Sequence, residues 1–129
     1  AALVHGMSRP IGAFFHLPHG LSNAMLLPAV TTWSIPAAPR RYADCARAMG
    51  LAGEGVSDAH ANDALLDELR ALNAELDVPT PAGFGIRPAR WQQLRPLMAE
   101  QALPSGSPGT TPRIPTADEI VALYDAVWG

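Results

Sequence analysis

Residues 5–20, HGMSRPIGAFFHLPHG, hold three of the chain's four histidines, His5, His16 and His19, with Arg9 as their single formally charged neighbour. Neutral imidazole is the commonest protein ligand for divalent transition metals. His5 and His19 stand fourteen residues apart, with Pro10 and Gly12 between them, so one short helical face cannot carry both. They converge if a first helix ends, the chain turns, and His19 opens a second helix. Two imidazoles alone make a poor site, because a tight site takes three or four ligands. His16 is a third candidate by proximity. His60 lies among charged residues and reads as solvated. Gly6 and Gly20, each next to a histidine, leave room for a close approach to the backbone or simply serve turns.

Other reactive side chains carry less. Cys45, with Tyr42 and Met49 near it in sequence, reads as a buried structural thiol. As the only cysteine it cannot form an intrachain disulfide, which suits a reducing cytoplasm. Trp33, Trp91 and Trp128 read as core or helix-contact residues. Phe14 and Phe15 read either as pocket lining or as core. No Ser-His-Asp arrangement can be argued. The glycine pairs at 53–55 and 83–85 follow no strand, so they read as loops and not as phosphate cradles.

The elements that must position these residues read as five to seven helices, an all-α fold. Residues 1–8 are helical up to Pro10 and Gly12. Residues 19–34 form a helix with Pro28 inside it, and 39–50 a shorter one with Pro39 in its first turn and Gly50 as its stop. Over 58–76, Ser57 is the N-cap, and Leu65, Leu69, Leu72 and Leu76 share a face. Residues 77–88 read as a loop, 88–103 as a helix split at Pro96, and 103–116 as structureless. Thr116 opens a last helix, with Glu119 completing a capping box and Ile120, Leu123, Tyr124 and Val127 on the buried face. No alternating strand pattern and no internal repeat appears.

Composition bounds the partners. The 129 residues suit one domain, and 48% hydrophobic content supplies a core. The net charge is −3 and all nine cations are arginines, clustered only at Arg40–Arg41, which argues against nucleic acid. No apolar run reaches the ~18 residues of a membrane span, and a basic leader pattern is missing, so a cytoplasmic location is expected.

LVHGMSRPIGAFFHLPHGLSNAMLLPAV resembles the signature in the C-terminal half of iron-containing (group III) alcohol dehydrogenases. The matching elements are His5-Gly6, Pro10-Ile11-Gly12, Pro18-His19-Gly20 and Ser22 to Pro28. RRYADCARAMG and TADEIVALYDAVWG resemble later family segments, so the likeness covers the whole chain. The resemblance implies a C-terminal helical domain spanning 1–129, in which His5 and His19 are metal ligands and His16 matches a variable position. It implies two further ligands on an Asp-x-x-x-His helix, a motif not found in this chain, and a nucleotide-binding domain lying outside it; the chain is thus expected to be a fragment, inactive alone. No residue here is assigned to the nucleotide.

The implied cofactors are Fe²⁺, with Zn²⁺ as the alternative, and NAD or NADP. The implied reaction is hydride exchange between a small alcohol or aldehyde and the nicotinamide, assisted by the metal as Lewis acid. The intact enzyme is expected to be a homo-oligomer. One departure concerns Arg9, which stands where many members carry a second histidine. Arginine stays charged and cannot act as a base. As a candidate catalytic residue it would instead hold a carboxylate or phosphate, unless it points outward or onto the dinucleotide phosphates. Two other readings compete: an oxidoreductase resembling maleylacetate reductase, and a non-catalytic helical interaction module.

Overall fold

The computed structural model describes residues 2–103 and 115–129, and the notional loop 103–116 therefore falls almost wholly outside the described residues. The described residues form seven helices: α1 (Ala2–Phe15), α2 (His19–Ser34), α3 (Pro39–Ala48), α4 (Asp58–Glu75), α5 (Pro81–Phe84), α6 (Pro88–Ala102) and α7 (Ala117–Val127). A 3-10 turn, Ile35–Ala37, links α2 to α3. There is no strand among them, as the sequence implied. None of these helices is long and apolar enough to cross a membrane.

Helices α1, α2, α6 and α7 enclose the main core. From α1 come Leu3, Val4, Met7 and Ile11, the i, i+4 spacing of one helical face, and all are buried. Trp91 is 1% exposed and gathers Phe15, Tyr124 and Trp128 around it at ring-centroid distances of 5.8, 5.7 and 5.5 Å. Trp33 and Trp128 pack half-buried against the same cluster. A smaller core joins α3 to α4 through Ala43, Ala46, Ala61 and Leu65.

Several local signals act as their chemistry dictates. Ser57 Oγ accepts from the His60 backbone N–H, and Thr116 and Glu119 form the full capping box. Gly50 takes φ +78 and ends α3, with its N–H on the Arg47 carbonyl and the Leu51 N–H on that of Ala46.

Four expectations are corrected. First, α1 runs through Pro10 and Gly12 to Phe15. An internal proline costs about 3 kcal/mol, and burial of Ile11 together with Phe14 and Phe15 on the core offsets that. Second, Pro96 does not split α6; both Pro96 and Gln92, whose carbonyl it orphans, are exposed, so water can satisfy that carbonyl. Third, the loop 77–88 contains α5, capped by Thr80 Oγ1 accepting from the Gly83 N–H and closed by Gly85 at φ +107. Fourth, Cys45 is exposed, because Ala43 and Ala46 form the α3 face that meets α4. The leucine face of α4 is buried only at its start: Leu65 is covered, while Leu76 is 72% exposed.

Candidate metal centre

The turn between α1 and α2 is what brings the histidines together. His16 takes φ +56 directly after Phe15 and ends α1, its N–H still bonded to the Gly12 carbonyl. Buried Leu17 then anchors the reversal in the core, and extended Pro18 precedes His19, the first residue of α2. The return passes close to Gly12: a Cβ there would stand 3.4 Å from the Leu17 carbonyl, at van der Waals contact. Ser22 ties the new helix down, with its Oγ donating to the Pro18 carbonyl.

The two imidazole rings end with their centroids 5.3 Å apart, inclined at 59°. His5 is half-buried on α1 and His19 exposed at the head of α2. This spacing fits a shared ion. With a metal–nitrogen distance of about 2.1 Å, each ring centroid lies roughly 3.2 Å from the metal, and two rings at a near-tetrahedral angle stand about 5.3 Å apart. The donor chemistry fits as well, since imidazole nitrogen suits iron and zinc alike. Among the described residues no group of three or more His, Cys, Asp or Glu gathers here, so the pair accounts for half of a four-ligand set.

Neighbouring elements hold the pair in place. Tyr124 of α7 donates its hydroxyl to the Met7 carbonyl of α1 at 2.7 Å, inside the core, two residues from His5. Burial pushes the Tyr124 phenol far above its ordinary range, so it remains a donor. Trp33 Nε1 donates to Glu119 at 3.2 Å and joins α2 to α7, while Arg95 pairs with Asp125 between α6 and α7. Ser8, fully buried on α1, donates its hydroxyl to the His5 carbonyl at 3.2 Å and lies 3.4 Å from His19 Nδ1.

Other candidates separate from this centre. His16 is exposed, with no ring contact to either histidine, and His60 is exposed at the start of α4. Gly20 has open space around it, so no close contact requires it. Arg9 is exposed on α1, one turn beyond His5. Phe14 and Phe15 pack on the core and also line a cleft of about 300 Å³ with Phe84 and Arg87. Ser8 and the Tyr124 hydroxyl carried no sequence signal for this role, since a serine within a helix and a buried tyrosine are each common in isolation.

The first two helices of this all-α domain fold back and set two imidazoles side by side. The chain belongs to the Fe-containing alcohol dehydrogenase family: the family's C-terminal model matches residues 1–128. It is 38% identical to lactaldehyde reductase of Escherichia coli (strain K12), over 98% of this chain and 32% of that protein. It is 32% identical to 1,3-propanediol dehydrogenase of Citrobacter freundii, over 94% of this chain and 30% of the relative. Two solved structures superpose well. A 1,3-propanediol oxidoreductase gives a TM-score of 0.87 at 30% identity, and alcohol dehydrogenase from Oenococcus oeni gives 0.85 at 30%. Each match covers 97% of this chain and 32% of the other. The chain thus spans about a third of the length of the relatives it matches.

Proposed function

We propose that this chain is the C-terminal metal-binding portion of an NAD(P)-linked alcohol dehydrogenase or aldehyde reductase, with His5 and His19 as two ligands of a divalent metal, Fe²⁺ or Zn²⁺. The observation that carries the reading is the 5.3 Å juxtaposition of the two rings, produced by residues fourteen apart in sequence. When bound, the ion supplies Lewis acidity that polarises an alcohol or aldehyde oxygen. The residues of this chain do the positioning. The α1–α2 turn fixes the two imidazoles, and the buried Tyr124–Met7 bond keeps α1 from shifting. The buried face of α1 bars water from the side of the centre that faces the core. The relatives' names point to small alcohols and aldehydes as the substrate class.

Arg9 favours a second reading of the substrate. An exposed guanidinium one turn from His5 suits a carboxylate-bearing substrate, as in a reductase of an unsaturated oxo-acid.

The test is metal content. In the intact enzyme, His19→Ala is expected to lower bound iron or zinc, read by elemental analysis after dialysis, and to abolish alcohol oxidation. Full metal occupancy in the variant would remove His19 from the ligand set.

A further inference from the structure

Ser8 sits between the two histidines and touches both. Its hydroxyl has one proton to donate. The His5 carbonyl can only accept, and at 3.2 Å it is the nearer partner; His19 Nδ1 lies at 3.4 Å. With its proton committed to the carbonyl, the Ser8 oxygen faces His19 as an acceptor. The Nδ1 atom must then carry the hydrogen, which leaves the lone pair on Nε2. A ligating histidine is commonly oriented in this way, its second ring nitrogen donating to a neighbouring oxygen.

We propose that Ser8 is a positioning residue that holds the His19 ring in its Nδ1–H tautomer and so presents Nε2 to the ion shared with His5. The inference rests on the assignment of His5 and His19 as ligands. Ser8 is wholly buried, so water does not compete for the bond, whereas His19 is exposed and its ring meets Ser8 and His5. Without Ser8 the exposed ring would rotate and populate both tautomers.

The first measurement needs no variant. In ¹⁵N-histidine-labelled, metal-free protein at about pH 9, where imidazoles are neutral, the two-bond ¹⁵N–¹H correlations of His19 are expected to show Nδ1 protonated. Dominance of the Nε2–H form would overturn the proposal. Ser8→Ala places a strong helix former at a helical position, and it is expected to give His19 a mixture of tautomers. Affinity for Zn²⁺, read by competition with a chromophoric chelator, is expected to fall about tenfold. A tautomer and an affinity unchanged from the parent would overturn the role of Ser8 and leave the ligand assignment intact. Undiminished zinc affinity in His19→Ala would instead overturn the ligand assignment, whatever the tautomer.

Discussion

Asn73 of α4 donates its side-chain amide to the Ala24 carbonyl of α2 at 2.8 Å. Ala24 precedes Pro28 by four residues, so this is the carbonyl that Pro28, lacking an N–H, leaves without its helical donor. A side chain from another helix replaces the missing backbone bond. α2 therefore runs unbroken from His19 to Ser34, and the helix that begins with a candidate ligand is tied at its middle to α4.

This bond makes a double-mutant prediction. Asn73→Ala is expected to destabilise the protein by about 1–2 kcal/mol, since it orphans a polar group between packed helices. In a Pro28→Ala background the same change is expected to cost clearly less, because the residue 28 N–H then reaches the Ala24 carbonyl. Denaturant unfolding of the four proteins checks this; strictly additive costs would show that Asn73 does not compensate for the proline.

Tyr124 sets the alkaline limit. Burial raises its phenol pKa above the ordinary value of 10.0, so above that pH the folded protein retains a proton that the unfolded chain has released. The unfolded state then binds fewer protons, and stability falls as pH rises. The contribution is whole below about pH 10 and declines above it by about 1.4 kcal/mol per pH unit. Tyr124→Phe is expected to lose about 1 kcal/mol at neutral pH through the Met7 bond, and to show a shallower loss between about pH 9 and 11. Equal slopes in urea unfolding would mean that the phenol ionises freely in the fold.

The proposed carboxylate-binding role of Arg9 makes a prediction that depends on substrate charge. Arg9→Gln is expected to raise KM for a carboxylate-bearing aldehyde about tenfold or more, the worth of one charge-assisted hydrogen bond, and to leave KM for a neutral aldehyde of similar size unchanged. Steady-state kinetics on the two substrates separates the outcomes; equal effects on both would place Arg9 away from the substrate.

The helices were legible wherever a capping group and an apolar stripe coincided. Ser57 and the Thr116–Glu119 pair mark the starts of α4 and α7, and Gly50 marks the end of α3. Prolines were the least reliable guides. Pro10, Pro28 and Pro96 all lie within helices, because burial, a cross-helix donor and solvent exposure each relieve what a proline disturbs. Cys45 was misplaced inward, since a half-apolar helix does not reveal which face its neighbour will cover.

By itself the sequence determined that His5 and His19 are present, that a turn separates them, and that the surrounding segments are helical. These properties depend on local backbone preferences and on side chains a few residues apart. Only the tertiary structure decided that the two rings stand 5.3 Å apart, that Ser8 bridges them, and that His16 and His60 stay outside. Those distances depend on how α1 and α2 fold back and pack against α6 and α7. That packing is set by contacts between residues far apart in the chain, such as Tyr124 with Met7, which no local spacing encodes.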